Sequence, residues 1–228
     1  MHRIAASILS ADRRRLPDEV RRLVAAGVDA IHMNVVDAED RPNLSLGHLA
    51  CAAIRTHCAL PIHVHLRVPA SRALVENFAE AGADLLILQS AAGLDAPAML
   101  ALVRAVGCQA GLAFGPGDPL DSLPDCLGQL DLVHVSCALA ASATRDFLPA
   151  SLAQIERVRM LVDAAGVDHA VRLQADGDIG PGNIASVATA GVDDIVVGRA
   201  LFGSDDWAGA VTGLREAIAA ARAARVPA

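Results

Sequence analysis

The sequence predicts an α/β protein, a single (β/α)8 TIM barrel that takes in residues 1–228. The first observation is a short phrase, Ala-Gly-Val/Ala-Asp, which occurs at residues 26–29, 81–84, 165–168 and 190–193. Each copy follows a helical pattern and precedes an apolar run, and its glycine suits a helix C-terminus where φ is positive. The second observation is that helical and apolar segments alternate along the whole chain. Repeated helix–glycine–strand units are typical of parallel sheets.

The elements follow one another in strict alternation, with no segment left over for a linker. Strands are predicted at residues 4–9, 30–35, 62–66, 85–88, 109–114, 132–136, 170–174 and 194–197. Helices are predicted near residues 16–26, 46–56, 71–81, 96–106, 120–127, 152–165, 181–190 and 207–224, with a short extra helix at 200–202. Eight such units fit a closed barrel, whereas a doubly wound sheet usually has fewer strands. The first strand is not followed by G-x-G-x-x-G, so nothing indicates a dinucleotide.

Composition excludes several classes of function. The formal net charge is −7, aromatic residues make up 2% and tyrosine is absent, so the positive, ring-bearing surface of a nucleic-acid-binding protein is missing. No apolar run approaches the ~18 residues of a membrane span, and no signal segment is recognisable, so we expect a cytoplasmic protein. The five cysteines form no CxxC pair and are predicted to be buried thiols, although Cys137, just past a strand, leaves a reactive role open.

Polar side chains cluster at the predicted C-terminal ends of three strands. Strand alternation puts His32 and Asn34 on one face and His63 and His65 on one face, while Asp176 follows the seventh strand. In a barrel such residues point inward, toward the usual position of an active site. We therefore predict a metal site of His32, Asn34, His65 and Asp176. Two imidazoles with oxygen ligands suit one divalent ion, Zn²⁺, Mn²⁺ or Fe²⁺, here bound weakly.

The alternative is that these histidines are hydrogen-bonded core residues without a ligand. Three histidines on neighbouring strands with one predicted inward face make that alternative weaker than it is for a single histidine. His134, on the sixth strand, is predicted to have a structural or supporting role.

Several segments resemble the ribulose-phosphate 3-epimerases, in the right order and over nearly the whole chain. They are IAASILSAD at 4–12, DAIH at 29–32, RPN at 41–43, PIHVHL at 61–66, ADG at 175–177 and PGNI at 181–184. The resemblance implies a TIM barrel of the ribulose-phosphate-binding type and epimerisation at C3 of a ketopentose phosphate, as in the pentose phosphate pathway. It also implies a metal held by two His and two Asp, which polarises the carbonyl side and steadies the enediolate. The two Asp act as base and acid on opposite faces of C3.

The resemblance carries over to His32, His65 and Asp176 as metal ligands, but Asn34 stands where the family has its second Asp. An amide oxygen can bind a cation but cannot take up a proton. His63 also replaces a family Asp, and a neutral imidazole is a competent base. The catalytic set predicted is therefore Asp176, Asn34 and His63.

The phosphate end differs from the family as well. Where the family has a Gly-rich loop after the sixth strand, this chain reads ALAASATR at 138–145, which contains no glycine. Where the family has Gly-Gly after the seventh strand, this chain has Gly177-Asp178, and where the family has Gly-Ser after the eighth, it has Gly198-Arg199. Arg67 stands in place of a family Met, and Gln89 in place of a family His. We predict that an anionic ligand docks at Gly198 and Arg199; the alternative is that Arg199 pairs with Asp178 or points to solvent. The substrate-binding residues predicted are Ser7, His65, Gly177, Asp178, Gly198 and Arg199.

These residues predict a divergent, metal-dependent epimerase of a ketose phosphate with a remodelled site. One alternative is a sugar-phosphate-binding or regulatory barrel that has lost the activity. Another is a barrel enzyme with a different anionic substrate, suggested by Arg67, Arg145 and Arg199. The partners expected are a small anionic, sugar-phosphate-like substrate and further copies of the chain in a homo-oligomer, with neither nucleic acid nor membrane.

Overall fold

Eight parallel strands close into a barrel in the order β1 to β8, with helices between them. The structure is a computed structural model and describes residues 2–36, 46–91, 93–139 and 146–225. The strands are β1 Arg3–Ser7, β2 Ala30–Val36, β3 Ile62–Arg67, β4 Leu85–Gln89, β5 Gln109–Phe114, β6 Leu132–Ser136, β7 Arg172–Asp176 and β8 Asp194–Val197. The predicted (β/α)8 barrel is confirmed.

The helices cover the outside of this barrel. They are α1 Leu16–Ala26, α2 His48–Arg55, α3 Arg72–Glu80, α4 Ala96–Ala105, α5 Leu123–Cys126, α6 Ser151–Ala164, α7 Ile184–Thr189, α8 Arg199–Phe202 and α9 Trp207–Arg225. Within the described ranges, no helix is both long and apolar enough to cross a membrane.

Several predicted elements have different bounds in the structure, most by one to three residues, and three of them are described here. β1 ends at Ser7, where its pairing with β2 ends, and a 3₁₀ turn follows over Ile8–Ser10. β7 was predicted to begin at residue 170, but it begins at Arg172, whose charged side chain points into the barrel and pairs with buried Asp194. The helix predicted near 120–127 is the single turn α5, followed by a 3₁₀ turn over Leu127–Gln129.

The glycine of each Ala-Gly-Val/Ala-Asp phrase has a positive φ, as its predicted place at the end of a helix requires. The values are 84° at Gly27, 90° at Gly82, 60° at Gly166 and 107° at Gly191. These positions stop one helix and turn the chain toward the next strand.

An aspartate at the start of every even-numbered strand ties that strand to the preceding one. Asp193, for example, accepts a hydrogen bond from the Leu173 amide at 2.8 Å and pairs with Arg159 of α6 at 3.2 Å. We call each such pair a strand-start clamp. The four clamps are Arg215–Asp29, Arg55–Asp84, Arg104–Asp131 and Arg159–Asp193, and their aspartates accept from the amides of Ile4, Ile62, Ala110 and Leu173.

The clamps do not coincide with the repeated phrase. Asp131 forms a clamp outside any copy of the phrase, whereas Asp168, inside a copy, has a fully exposed side chain (103%) and pairs only with the neighbouring His169 among the described residues. The reason is geometric, because Asp168 lies several residues ahead of β7 and does not reach a strand amide.

This difference gives a matched test of stability. We expect Asp193→Ala to lower the free energy of unfolding by about 1–3 kcal/mol, because it leaves the Leu173 amide without its acceptor and removes one of the two carboxylates that pair with Arg159. Asp168→Ala, at the same position of another copy of the phrase, should change the free energy of unfolding by less than about 0.5 kcal/mol. Urea unfolding followed by circular dichroism measures both. Equal effects for the two variants would contradict the clamp.

All five cysteines lie in the described part of the chain, and all are buried and unpaired, as predicted. Burial raises the pKa of the Cys51 thiol to about 11 and that of Cys137 to about 12. Thiolate is the reactive form, so these residues act as small apolar core groups.

Candidate metal centre and active site

Three side chains from three strands meet at the C-terminal end of the barrel, which we call the mouth. His32 lies on β2, His65 on β3 and Asp176 on β7, and one ligand atom of each lies within 4.8 Å of the others. The His32 Nε2 and Asp176 Oδ2 atoms are 3.6 Å apart. Among the described residues this is the one group of three or more His, Cys, Asp or Glu close enough to hold a metal ion.

The fourth predicted ligand, Asn34, lies beside this group. It pairs in register with His65 across the β2–β3 ladder, and only 3% of it is exposed. Its Oδ1 atom has no hydrogen-bond partner within the described ranges. The amide oxygen is therefore available to a ligand bound next to it.

Exposure separates the carboxylate from the imidazoles. His32 and His65 are 0% and 1% exposed, whereas the Asp176 side chain is 23% exposed. Asp176 is thus the member of the group that a molecule in the mouth can touch directly, while the imidazoles lie behind it.

The donor atoms fit a cation. Neither ring nitrogen of His32 has a hydrogen-bond partner among the described residues, and His65 Nδ1 has none either. The other His65 nitrogen, Nε2, lies 3.1 Å from Gln89 Oε1, and donation of its proton there leaves a lone pair on Nδ1. Each buried, unsatisfied polar atom costs about 1–3 kcal/mol, so this set of atoms is suited to hold a divalent ion.

The protonation states also suit metal binding. Burial lowers the pKa of both His32 and His65 well below 6.5, and the nearby His134 lowers both further. Neutral imidazoles, which can ligate, are therefore the forms present at neutral pH. Burial raises the pKa of Asp176, while His134 and Arg67 partly offset that rise.

The other two interior histidines form a chain beneath this group. Gln174 Nε2 lies 3.2 Å from His63 Nδ1, and Gln174 Oε1 lies 2.9 Å from His134 Nδ1. The His134 ring in turn stacks on His32 at 5.6 Å and lies 4.4 Å from the His65 ring, centroid to centroid. Sequence reasoning did not single out Gln174, although its place two residues before Asp176 on one strand face was a usable signal.

The structure does not bring His63 into the group at the mouth. His63 pairs in register with His32, one layer below the Asn34–His65 pair, and is 2% exposed. Burial lowers its pKa to about 4. His63 contacts the Gln174 amide, which in turn contacts His134, so His63 helps to fix the orientation of both side chains.

The substrate-binding residues predicted on the first, seventh and eighth strands border the same mouth. Ser7 ends β1 in register with His32, and Gly198 follows β8. Gly177 has φ 129°, and a Cβ there would lie 2.7 Å from the Ala138 amide nitrogen, so only glycine fits. Asp178 adopts φ 49°, an uncommon left-handed conformation for a residue with a side chain.

Arg199 adopts the paired arrangement that was the alternative prediction. Its Nη2 lies 2.7 Å from Asp178 Oδ1 and 3.7 Å from Asp146 Oδ1. Two carboxylates thus offset the charge with which Arg199 would attract an anion. The segments 41–43 and 140–145, which carry the RPN motif, most of the altered phosphate loop and Arg145, lie outside the described residues.

Comparison with known proteins gives a consistent set of similarities. The model of the Ribulose-phosphate 3 epimerase family matches residues 3–202. The chain is 40% identical over 208 residues to ribulose-phosphate 3-epimerase 1 of Cupriavidus necator, which covers 90% of this chain and 86% of that protein. It is 34% identical over 217 residues to ribulose-phosphate 3-epimerase of Escherichia coli K12, covering 95% and 96%.

Similar solved structures have the same fold at low sequence identity. The crystal structure of KGPDC from Streptococcus mutans superposes with a TM-score of 0.73 at 13% identity, over 96% of this chain and 98% of that one. The 3-hexulose-6-phosphate synthase of Salmonella typhimurium gives 0.71 at 18% identity, over 96% and 99%.

Proposed function

Because the chain belongs to the ribulose-phosphate 3-epimerase family, we propose that it is a metal-dependent epimerase of a ketose phosphate with a remodelled site. The observation that carries the proposal is the meeting of His32, His65 and Asp176 at the mouth, with unpartnered donor atoms. The names of the relatives support an epimerase acting on carbohydrate phosphates.

His32 and His65 would hold the ion through ring nitrogens that lack other partners, with Asp176 and Asn34 supplying oxygen atoms. When bound, a divalent ion of this kind stabilises the negative charge that develops on substrate oxygens as the neighbouring C–H bond breaks. The Gln89 contact at Nε2 would leave Nδ1 as the His65 nitrogen that holds the ion.

Asp176 would carry the proton on one face of the reacting carbon. It is the exposed member of the group, and its carboxylate can take up a proton from the reacting carbon and return it. Asn34 cannot take up a proton, so the opposite face needs a second carrier. We assign that role to a water molecule held by Asn34 in preference to His63, because His63 is buried below the group and bonded to Gln174.

The remaining predicted binding residues would contact the polyhydroxylated chain of the substrate. At the ends of β1, β7 and β8, the small residues Ser7, Gly177 and Gly198 would allow the substrate to approach the backbone closely. The Asp178–Arg199 pair offers both an acceptor and donors to hydroxyl groups. A homo-oligomer stays part of the proposal, and light scattering on the purified chain measures it.

The proposal is tested by metal analysis together with isotope exchange. We expect about one divalent metal per chain and, in D₂O, incorporation of deuterium at C3 of ribulose 5-phosphate with formation of its C3 epimer. The exchange should stop after chelation and return with added Zn²⁺, Mn²⁺ or Fe²⁺. A metal-loaded protein that binds the sugar phosphate without exchange would contradict the proposal and favour a binding or regulatory barrel.

A further inference from the structure

Arg67 ends β3, two residues after His65, and its side chain is half-buried at the rim of the mouth. Among the described residues it has no hydrogen-bond or ion-pair partner, in contrast to Arg199, which lies between Asp178 and Asp146. A half-buried guanidinium without a direct hydrogen-bond or ion-pair partner is costly, because five donors are partly removed from water, and the Asp176 carboxylate acts on Arg67 only from beyond ion-pair distance. The position therefore favours an anionic ligand over an internal partner.

A cavity of about 310 Å³ lies directly beside this guanidinium. Its lining comes from the segments after β3 and β4: Arg67 and Gln89 are the polar members, and the others are Val68, Pro69, Ala70, Ala91, Gly93 and Leu94. A small number of polar groups in a mainly apolar cleft is the usual composition of a small-molecule site, and this volume lies at the lower end of the range.

Gln89 connects this cavity to the metal group. Its Oε1 faces His65 Nε2 at 3.1 Å, and its Nε2 donates to the Ala113 carbonyl at 3.4 Å. The amide is therefore fixed in orientation, and the same residue lines the cavity and contacts the His65 imidazole. The cavity and the metal group are therefore neighbours that share Gln89.

We propose that Arg67 and this cavity are the anion subsite of the protein, which takes an oxyanion, phosphate or carboxylate, of a small polyhydroxylated carbonyl substrate. The inference rests on the proposed function for the position of the reacting carbon beside Asp176. The planar guanidinium binds such an oxyanion through two parallel hydrogen bonds. The anion thus lies on the β3–β4 side of the mouth, away from the Asp178–Arg199 pair on the β7–β8 side.

Calorimetry with three probes tests the subsite: ribulose 5-phosphate, inorganic phosphate and D-ribonate, each with the metal-loaded protein. We expect Arg67→Met to weaken binding of the preferred oxyanion by about 10- to 100-fold, since a charge-assisted hydrogen-bond pair is lost. The control is Arg72→Met, which removes an equal charge from the exposed Arg72–Glu76 pair nearby and should change affinity less than about threefold. If ribulose 5-phosphate binds more tightly than D-ribonate, the group bound is a phosphate. If D-ribonate binds more tightly, it is a carboxylate.

A second variant tests the cavity without changing charge. Leu94→Trp should fill the space beside Arg67 and weaken binding of the same probe, while the metal content stays equal to that of the wild type. Unchanged affinity in Arg67→Met, a loss confined to Arg199→Met, or no oxyanion binding by the wild-type protein would each overturn the subsite. Binding that depends on Arg67 without deuterium exchange at C3 would instead overturn the proposed epimerisation and leave the subsite standing.

Discussion

Asp176→Asn is expected to lower metal content below one ion per chain and to slow epimerisation by about 10²–10⁴-fold. Asp176 is the one carboxylate in the group at the mouth, and its Oδ2 lies 3.6 Å from His32 Nε2. The amide that replaces it is a weaker ligand and cannot exchange a proton with the substrate carbon. Elemental analysis and the C3 exchange rate measure the two effects separately.

Stability distinguishes this effect from unfolding. In the metal-free protein burial raises the pKa of Asp176, so the folded form favours the protonated carboxyl, and stability is lost as pH rises through the folded pKa. The neutral amide of the Asp176→Asn variant avoids that loss, so the metal-free variant should melt no lower than the metal-free wild type at neutral pH. Asp168→Asn, at a fully exposed carboxylate, is the control for both assays. Full activity in the Asp176 variant would remove this residue from the mechanism.

Asn34→Asp is expected to raise the epimerisation rate, by as much as about 10²–10⁴-fold, and to tighten metal binding. Asn34 lies in register with His65, and its Oδ1 atom has no partner within the described ranges, so a carboxylate there adds both a charged ligand and a proton carrier. The measurements are the C3 exchange rate and the dissociation constant of the metal.

Asn34→Ala serves as the comparison, because it removes the amide oxygen without adding a charge. We expect it to weaken metal binding and to leave the rate at or below that of the wild type. If Asn34→Asp exchanges at the wild-type rate when both proteins carry equal metal, the lack of a second carboxylate is not what limits the epimerisation rate.

Much of the fold was predictable because its signals are local. The positive φ of Gly27 or Gly191 follows from a glycine after a helical pattern, and the bounds of β5 and β6 follow from apolar runs. The predicted start of β7 was wrong because the strand begins where its pairing with β6 begins, at Leu132 opposite Arg172, and the sequence of β7 alone does not show that register. The sequence also does not predict that Asp131 forms a clamp and that Asp168 does not, because both outcomes depend on the distance to another strand.

For the site, the sequence by itself determined which residues share a strand face: His32 with Asn34, His63 with His65, and Gln174 with Asp176. Backbone geometry fixes that alternation whatever the rest of the chain does. Only the closed barrel decided that β7 brings Asp176 to His32, that His63 lies a layer too deep, and that Arg199 pairs with Asp178 while Arg67 faces a cavity. Partner choice and burial depend on distances between segments far apart in sequence, and those distances exist only once the barrel has closed.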